Sequence, residues 1–295
     1  MSLNSVAEFK LSITKALADQ LAETLDPLTP SPLSPEILAK VEGRPGVYML
    51  FLDGRRVYVG KTAKTLPARL KQHWRKISGR TGISVDHMSF VCVYVDRDMD
   101  SVAPEKMLIS KYAARGGVPW NNNGFGNKDP GAKRDHSLVK INHFDADYPI
   151  DLDTRIEYPI DPKIQIKPLT QPTVSAVLKS LKKALPFNLR YDTSGQGKAI
   201  MNAHSVTIPP TATTFREIIQ IILEALPSGW QATALPGYVT LYRKEETYQS
   251  ATGWWRKEGS EVVWHTGPAK RDPSEGPIKP DDEIMEEEEE LGEEA

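Results

Sequence analysis

The sequence contains a single cysteine and lacks any long apolar run. With only Cys92, the 295 residues cannot form an internal disulfide framework or a zinc site built from several cysteines. Cys92 lies in an apolar, strand-like run, SFVCVYV, which indicates a buried core thiol. No apolar stretch approaches the roughly 20 residues that span a bilayer, and no basic-then-apolar leader opens the chain. We therefore expect a cytoplasmic protein without a membrane partner.

Acidic residues are missing from one stretch and concentrated in another. Between Gly54 and Arg80 there are nine Lys/Arg and no Asp/Glu, whereas residues 281–295 hold ten Asp/Glu and no Lys/Arg. Once those ten are set aside, 37 basic residues stand against 29 acidic ones, so residues 1–280 carry +8 although the whole chain carries −2. A basic run is often only a solvated surface, but aromatic side chains interrupt this one, which favours contact with nucleic acid.

Residues 46–73 contain the clearest local pattern. The run GVYMLFL is rich in strand-forming residues. Asp53-Gly54 follows it and is typical of a tight hairpin turn. The run RRVYVG then predicts the return strand, and Pro67 suits the first turn of a helix that we expect from Leu66 to Ile77.

This local pattern brings reactive side chain types together. Arg69 and His73 are four residues apart and share one face of the predicted helix. Tyr48 and Tyr58 lie on the two strands, and Lys61 follows the second one. A phenol and an imidazole can move protons, and Lys or Arg can hold a phosphate.

Further elements flank the hairpin. Residues 5–25 predict an amphipathic helix capped by Ser5, which either packs on the following domain or forms a dimer contact; we favour packing.

A central strand is expected at residues 88–96, and a helix at residues 101–115 that carries Glu105. A lone helical Glu is usually a surface charge.

The ordered set of these residues resembles the GIY-YIG nuclease superfamily. Its two half-motifs correspond to Gly46-Val47-Tyr48 and Tyr58-Val59-Gly60, with Val in each Ile position. The superfamily's Arg and His, its metal-binding Glu and its late Asn correspond to Arg69, His73, Glu105 and Asn121. The sequence does not decide among Asn121, Asn122 and Asn123 for the last of these.

The resemblance implies an α+β fold with a small mixed sheet flanked by helices, and metal-dependent hydrolysis of duplex DNA. Glu105 would bind one Mg²⁺, with Mn²⁺ as an alternative ion. Tyr48 would orient or deprotonate the attacking water, with positive charge supplied by Lys61 and the metal, and His73 is the alternative base. The implied catalytic set is Tyr48, Tyr58, Lys61, Arg69, His73, Glu105 and Asn121.

The long loop at residues 119–137 narrows the resemblance to one branch of the superfamily. Its run GFGNKDPG followed by Arg134-Asp135 is similar to the loop after the catalytic Asn in GIY-YIG type II restriction endonucleases. That branch implies a homodimer on a palindromic site, and a cognate methyltransferase is a candidate partner. We expect DNA contacts from the polar and basic residues of the helix and loop: Lys64, Lys71, Arg75, Lys76, Asn127, Lys128, Lys133 and Arg134.

The expected domain order places the nuclease domain before a smaller one. The predicted segments are an N-terminal helix and Pro-rich spacer (1–45), the nuclease domain (46–153), a linker (154–170), a small α+β accessory domain (171–267) and a disordered acidic tail (268–295). In the accessory domain we expect helices at 173–185 and 213–226, strands at FNLRYD and HSVTIP, and hairpins at 230–244 and 249–268. Because the motifs end at residue 121, a chain ending near residue 153 is expected to fold and cleave DNA.

Two other functions stay open at this point. The first is a structure-specific nuclease of the repair or homing type. The second is a DNA- or protein-binding protein that acts through its C-terminal domain, in which the tryptophans of WWRKEGSEVVWH could stack on bases.

Overall fold

The structure, a computed structural model, describes residues 13–95, 104–113, 117–126, 135–157, 166 and 171–274. The chain forms two compact units, and each consists of two segments that are separate in sequence. The first unit contains residues 1–74 and 85–121, and the second contains residues 75–84 and 122–295. Within the described ranges, no helix is long and apolar enough to cross a bilayer.

A four-stranded antiparallel sheet forms the centre of the first unit, in the order β1-β4-β2-β3. Its strands are β1 (Ser31–Pro32), β2 (Gly46–Leu52), β3 (Arg55–Thr62) and β4 (Met88–Tyr94). The helices of this unit are α1 (Ile13–Leu25), α2 (Pro35–Leu38), α4 (Pro104–Ala113) and the beginning of α3 (Leu66–Ser78). The expected α+β class is confirmed for this unit.

The predicted β2–β3 hairpin is present. Asp53 and Gly54 both have positive φ, 49° and 74°, as a two-residue turn that matches the strand twist requires. The strand expected at residues 88–96 and the helix expected from Leu66 are also present, although strand β4 ends at Tyr94 and helix α3 at Ser78.

The two faces of this sheet carry different side chains, because successive residues of a strand point to opposite sides. Val47, Met49, Val59 and Val91 form one core with Leu21 and Leu25 of α1 and with Leu108 and Tyr112 of α4. The N-terminal helix therefore packs on the sheet of its own unit, as we favoured. Its predicted cap, Ser5, lies outside the described residues.

Cys92 differs from the expectation of a buried core thiol. It is only half-buried, and it stands opposite Tyr48 in the β2–β4 pair. Its side chain therefore leaves from the face opposite to the α1–α4 core, the face that also carries Tyr48. The burial that remains is enough to raise the pKa of the Cys92 thiol.

A five-stranded mixed sheet forms the centre of the second unit, in the order β10-β9-β7-β8-β6. Its strands are β6 (Asn188–Tyr191), β7 (Gln231–Ala234), β8 (Tyr238–Tyr242), β9 (Gly253–Glu258) and β10 (Glu261–Thr266). The helices of this unit are α5 (Phe144–Asp147), α6 (Val174–Ala184), α7 (Gly195–Ala203) and α8 (Phe215–Ala225). Two further strands, β5 (Val139–Lys140) and β11 (Arg271–Asp272), form a small parallel pair.

Several local expectations for the second unit are met. Helices α6 and α8 lie within the expected ranges 173–185 and 213–226; Thr173 caps α6, and Thr214 forms a capping box with Glu217 at the start of α8. The hairpin expected to turn at Pro236-Gly237 is β7–β8. The tryptophan-containing segment is hairpin β9–β10, and Trp255 is fully buried in the core of the unit, which excludes it from stacking on a base.

Other expectations for this unit are wrong. The run HSVTIP forms only an isolated bridge at Ser205 rather than a strand. Helix α7 was not expected, because its sequence GQGKAIMNA contains two glycines; Ser194 caps it, and Met201 is buried. Residues 268–274 are ordered rather than part of a disordered tail, because Arg271–Asp272 pair with β5. The rest of the predicted tail, residues 275–295, lies outside the described residues.

The segment around residues 135–156 is part of the second unit, although the sequence places it mostly in the nuclease domain. Ile150, Leu152 and Ile156 belong to the same hydrophobic core as α6, α8 and Trp255. Asp135 is buried, and its carboxylate accepts from Arg190 Nη1 at 2.9 Å and from Tyr238 Oη at 2.7 Å. The expected domain boundaries stay predictions, but this grouping changes what we expect of a truncated chain.

A chain ending at residue 153 should be less stable than the full chain. Ile150 and Leu152 would lose the core that covers them, and burial of each such side chain contributes about 1.5–3 kcal/mol. We expect lower thermal unfolding temperatures and aggregation, measured by circular dichroism and size-exclusion chromatography. A chain ending at residue 280, which keeps every described residue, is the control. A soluble 1–153 fragment that unfolds cooperatively at the full-length temperature would contradict this grouping.

Candidate active site

Tyr48, Arg69 and His73 come together in the first unit. Tyr48 Oη lies 2.7 Å from His73 Nε2, and Arg69 Nε donates to Tyr48 Oη at 3.2 Å. Tyr48 projects from the middle of β2, and the other two residues lie one turn apart on α3. The i, i+4 spacing that predicted a shared helix face therefore places both side chains on one phenol oxygen.

This cluster is almost closed to water. The exposed fractions are 0% for Tyr48, 5% for Tyr58 and 3% for His73. The Tyr58 ring lies 6.2 Å from the Tyr48 ring and 5.4 Å from the His73 ring, centroid to centroid. Hydrogen bonds are stronger and more sensitive to geometry in such surroundings than in water.

Each half-motif contains a glycine that a larger residue could not replace, for a steric reason. Gly60 pairs with Tyr48 across the sheet, and a Cβ on Gly60 would overlap the end of the Tyr48 phenol and the Tyr58 ring. A Cβ on Gly46 would overlap the backbone oxygen of Val93 on strand β4. Glycine is required at both positions because the neighbouring atoms occupy the space of a side chain.

Lys61 leaves from the other face of the sheet. It pairs with Val47, whereas its neighbour Gly60 pairs with Tyr48, and successive strand residues alternate between faces. Arg69 donates to Tyr48 Oη, and the catalytic role of Lys61 stays a prediction.

Asn121 closes the outer edge of the sheet beside Tyr58 and Gly60. Its Oδ1 accepts from Val59 N at 2.9 Å, and its Nδ2 donates to Val59 O at 2.6 Å. Strand β3 is at the edge of the sheet, where backbone groups need a partner other than a strand. Asn123 instead accepts from Phe125 N. Asn121 thus contacts the second half-motif, and its assignment as the superfamily's late Asn stays a prediction.

Glu105 is the second residue of α4. The position of its side chain lies outside the described part of the structure, so its role as a metal ligand stays a prediction. Elsewhere in the described chain, no three His, Cys, Asp or Glu side chains come together as a metal site.

The expected DNA contacts fall into three groups. Lys64 and Lys71 are exposed. Arg75 donates to backbone oxygens of Lys183 and Leu185, and Lys76 donates to Phe125 O at 2.6 Å, so both are engaged within the second unit. The other four, Asn127, Lys128, Lys133 and Arg134, lie outside the described residues. Their roles in DNA binding all stay predictions.

One contact of the cluster was not anticipated from the sequence. Gln72 Oε1 accepts from Arg69 Nη1 at 3.3 Å, while Arg69 Nε faces Tyr48. The two residues are three apart on α3, a spacing that places side chains next to each other on a helix. That spacing is the sequence signal that could have predicted the contact. The exposed Gln72 contacts the guanidinium from its solvent side.

Comparison with known families agrees with this geometry. The GIY-YIG catalytic domain matches residues 44–117. These residues include the hairpin, α3, β4 and α4, and the matched domain is that of a nuclease acting on DNA. No curated protein matches the chain. The superfamily resemblance read from the two half-motifs is thereby supported for this segment.

Tyr48→Phe should lower the rate of DNA cleavage by about 10²-fold or more, the usual contribution of a general acid–base group. The change removes the oxygen to which both Arg69 and His73 are bonded, yet keeps the ring. Single-turnover cleavage rates of Tyr48→Phe and His73→Ala should be compared. An active Tyr48→Phe together with an inactive His73→Ala would reverse the assignment and make His73 the base.

Asn121→Asp should weaken both stability and cleavage. The carboxylate can still accept from Val59 N, but it places an oxygen against Val59 O, and a buried mismatch of this kind costs about 1–3 kcal/mol. Asn123→Asp is the matched control, because the bond from Phe125 N needs only an acceptor. Urea unfolding and cleavage rates should be measured for both. Equal effects of the two substitutions would contradict the role given to Asn121.

Proposed function

We propose that the protein is a Mg²⁺-dependent endonuclease of the type II restriction class that hydrolyses phosphodiester bonds in duplex DNA. The observation that carries this proposal is the bonding of one buried phenol, Tyr48, to both Arg69 and His73. The match of residues 44–117 to a nuclease domain gives that arrangement its chemical context. A phenol held between a cation and an imidazole is suited to activating water beside a phosphate.

In the proposed reaction, Tyr48 orients the attacking water and takes its proton. Arg69 Nε, 3.2 Å from Tyr48 Oη, can stabilise negative charge on that oxygen, and His73 Nε2, 2.7 Å away, can hold the proton that leaves it. Arg69 is also assigned the phosphate, since a guanidinium has five N–H donors in a geometry that suits phosphate oxygens. Tyr58 encloses the phenol and the imidazole, and Asn121 holds the β3 edge that carries Tyr58.

Glu105 would hold the metal ion. The residue types fit a hard cation such as Mg²⁺ or Mn²⁺, which prefers oxygen ligands, and one carboxylate with no acidic cluster in the described chain suits a single ion. When bound, such an ion supplies Lewis-acid stabilisation of charge on the phosphate and the leaving oxygen.

The restriction class rests on the loop after Asn121. The run GFGNKDPG and the following Arg134-Asp135 resemble the corresponding loop of that branch. A palindromic target would then require a homodimer, with one active site for each strand. A companion methyltransferase and a cytoplasmic location belong to the same proposal.

The function is tested with purified protein, Mg²⁺ and unmethylated plasmid DNA, followed by sequencing of the ends. Discrete fragments that share one short end sequence support the restriction class. Cleavage confined to branched or flapped DNA would support a structure-specific nuclease instead. Binding without cleavage in Mg²⁺ or Mn²⁺ would overturn the nuclease proposal.

Glu105→Gln should abolish cleavage in Mg²⁺ and leave DNA binding largely unchanged. The substitution removes the anionic ligand without adding bulk. Glu224→Gln, the same change at an exposed position of α8, is the control and should cleave normally. Cleavage is measured on plasmid and binding by fluorescence anisotropy in Ca²⁺. Wild-type cutting by Glu105→Gln would remove Glu105 from the metal site.

A further inference from the structure

Helix α3 carries Arg69 and His73, but its last turn belongs to the second unit. The helix is continuous from Leu66 to Ser78, whereas the boundary between the two units falls after Trp74. The residues that follow His73 are therefore held by contacts that the nuclease motifs do not include.

Arg75 makes the most specific of these contacts. Its Nη2 donates to the backbone oxygens of Lys183 and Leu185, the second at 2.7 Å. Lys183 lies in the last turn of α6, and Leu185 is the C-cap of that helix. The last carbonyls of a helix have no partner within it, and they attract positive charge. The Nη2 nitrogen of a guanidinium carries two N–H groups, so it can donate one to each oxygen.

Three neighbouring residues hold the same stretch. Lys76 Nζ donates to Phe125 O at 2.6 Å. Gly79 lies so close to Pro186 that a Cβ would overlap its ring. Arg80 is buried and bonds to Asp145 at 2.8 Å and to Tyr148 O at 3.1 Å. The end of α3 is therefore held at four positions within six residues.

The helix transmits the placement of its end to the catalytic side chains. His73 lies two residues before Arg75, a rise of about 3 Å along the axis, and its bond to Tyr48 Oη is only 2.7 Å long. A shift of the last turn changes this distance directly, since the hydrogen-bonded helix moves as one body. A misplacement of about 1 Å in a catalytic group can cost about 10²-fold in rate.

We propose that Arg75 is a positioning residue: by bonding the C-terminus of α6, it fixes the end of α3 and thereby the approach of His73 and Arg69 to Tyr48. This inference rests on the proposed nuclease function. It replaces the expectation that Arg75 contacts a DNA phosphate, and it makes the second unit a requirement for cleavage rather than an accessory.

The test compares Arg75→Ala with Arg75→Lys. Lysine keeps the charge and can donate to two helix-end carbonyls, as Lys257 does at the end of α8. We expect Arg75→Ala to lose about 10-fold to 100-fold in kcat, with KM and the salt dependence of DNA binding unchanged, and Arg75→Lys to recover most of that loss. A phosphate contact would instead lower the salt slope of DNA binding by about 0.9 in Arg75→Ala. That result would overturn the proposal.

Lys257→Ala is a matched control. Lys257 on β9 donates to Glu224 O at 2.8 Å and Leu226 O at 3.1 Å, so it bonds the C-terminus of α8 as Arg75 bonds that of α6. It lies on no element that carries a catalytic residue. We expect a comparable loss of thermal stability with normal cleavage. Equal losses of kcat in Lys257→Ala and Arg75→Ala would show a general effect of stability and would overturn the proposal.

A readout that does not depend on cleavage separates this proposal from the proposed function. The ring signals of the six histidines can be recorded by NMR after selective labelling, and His73 is assigned by its loss in His73→Gln. Arg75→Ala should shift the His73 signal, and Lys257→Ala should not. If Arg75→Ala shifts the His73 signal but the wild-type protein cleaves no DNA, the positioning role is retained and the nuclease function is rejected. An unchanged His73 signal in Arg75→Ala would reject the positioning role itself.

Discussion

The candidate site depends on the space that Gly60 leaves beside strand β3. The end of the Tyr48 phenol lies where a side chain on Gly60 would stand, and from that position its oxygen bonds both His73 and Arg69. The second half-motif thus determines the shape of this space. Tyr58 closes one side of the space, and Gly60 keeps it open. The position of Gly60 next to the phenol follows from strand pairing, because Gly60 stands directly opposite Tyr48 in the β2–β3 register.

The second constraint concerns backbone hydrogen bonds at a sheet edge. Strand β3 carries half of the motif, yet it has a strand neighbour on one side only. On the outer side of β3, Asn121 bonds both the N–H and the C=O of Val59. One side chain thus makes the two hydrogen bonds that a neighbouring strand would otherwise make. An amide is the residue type that can do this, since it offers one acceptor and donors in the same plane. The structural role of Asn121 is thus a consequence of where β3 lies.

The boundary between the two units falls within helix α3, after Trp74. The first turns of α3 present Arg69 and His73, and its last turn provides Arg75 and Lys76 to partners in the second unit. The basic composition of this helix therefore has two uses. Lys64, which precedes the helix, and Lys71, on its exposed side, remain candidates for DNA contact. Arg75 and Lys76 instead bond backbone oxygens. Charge counting along the sequence cannot distinguish the two, because both need a cation.

The sequence by itself determined the local elements and the residue types that they bring together. Turn residues, strand-forming runs and the i, i+4 spacing of Arg69 and His73 are short-range signals, so the hairpin, α3 and the Tyr48 cluster could be predicted. Contacts between residues distant in the chain were decided only by the tertiary structure. These include the bonds of Asn121 to Val59, the pairing of Lys61 with Val47 rather than with Tyr48, and the inclusion of Ile150 and Leu152 in the second core. The physical reason is that register, face and burial depend on what packs against a residue from elsewhere in the chain, which no local pattern contains.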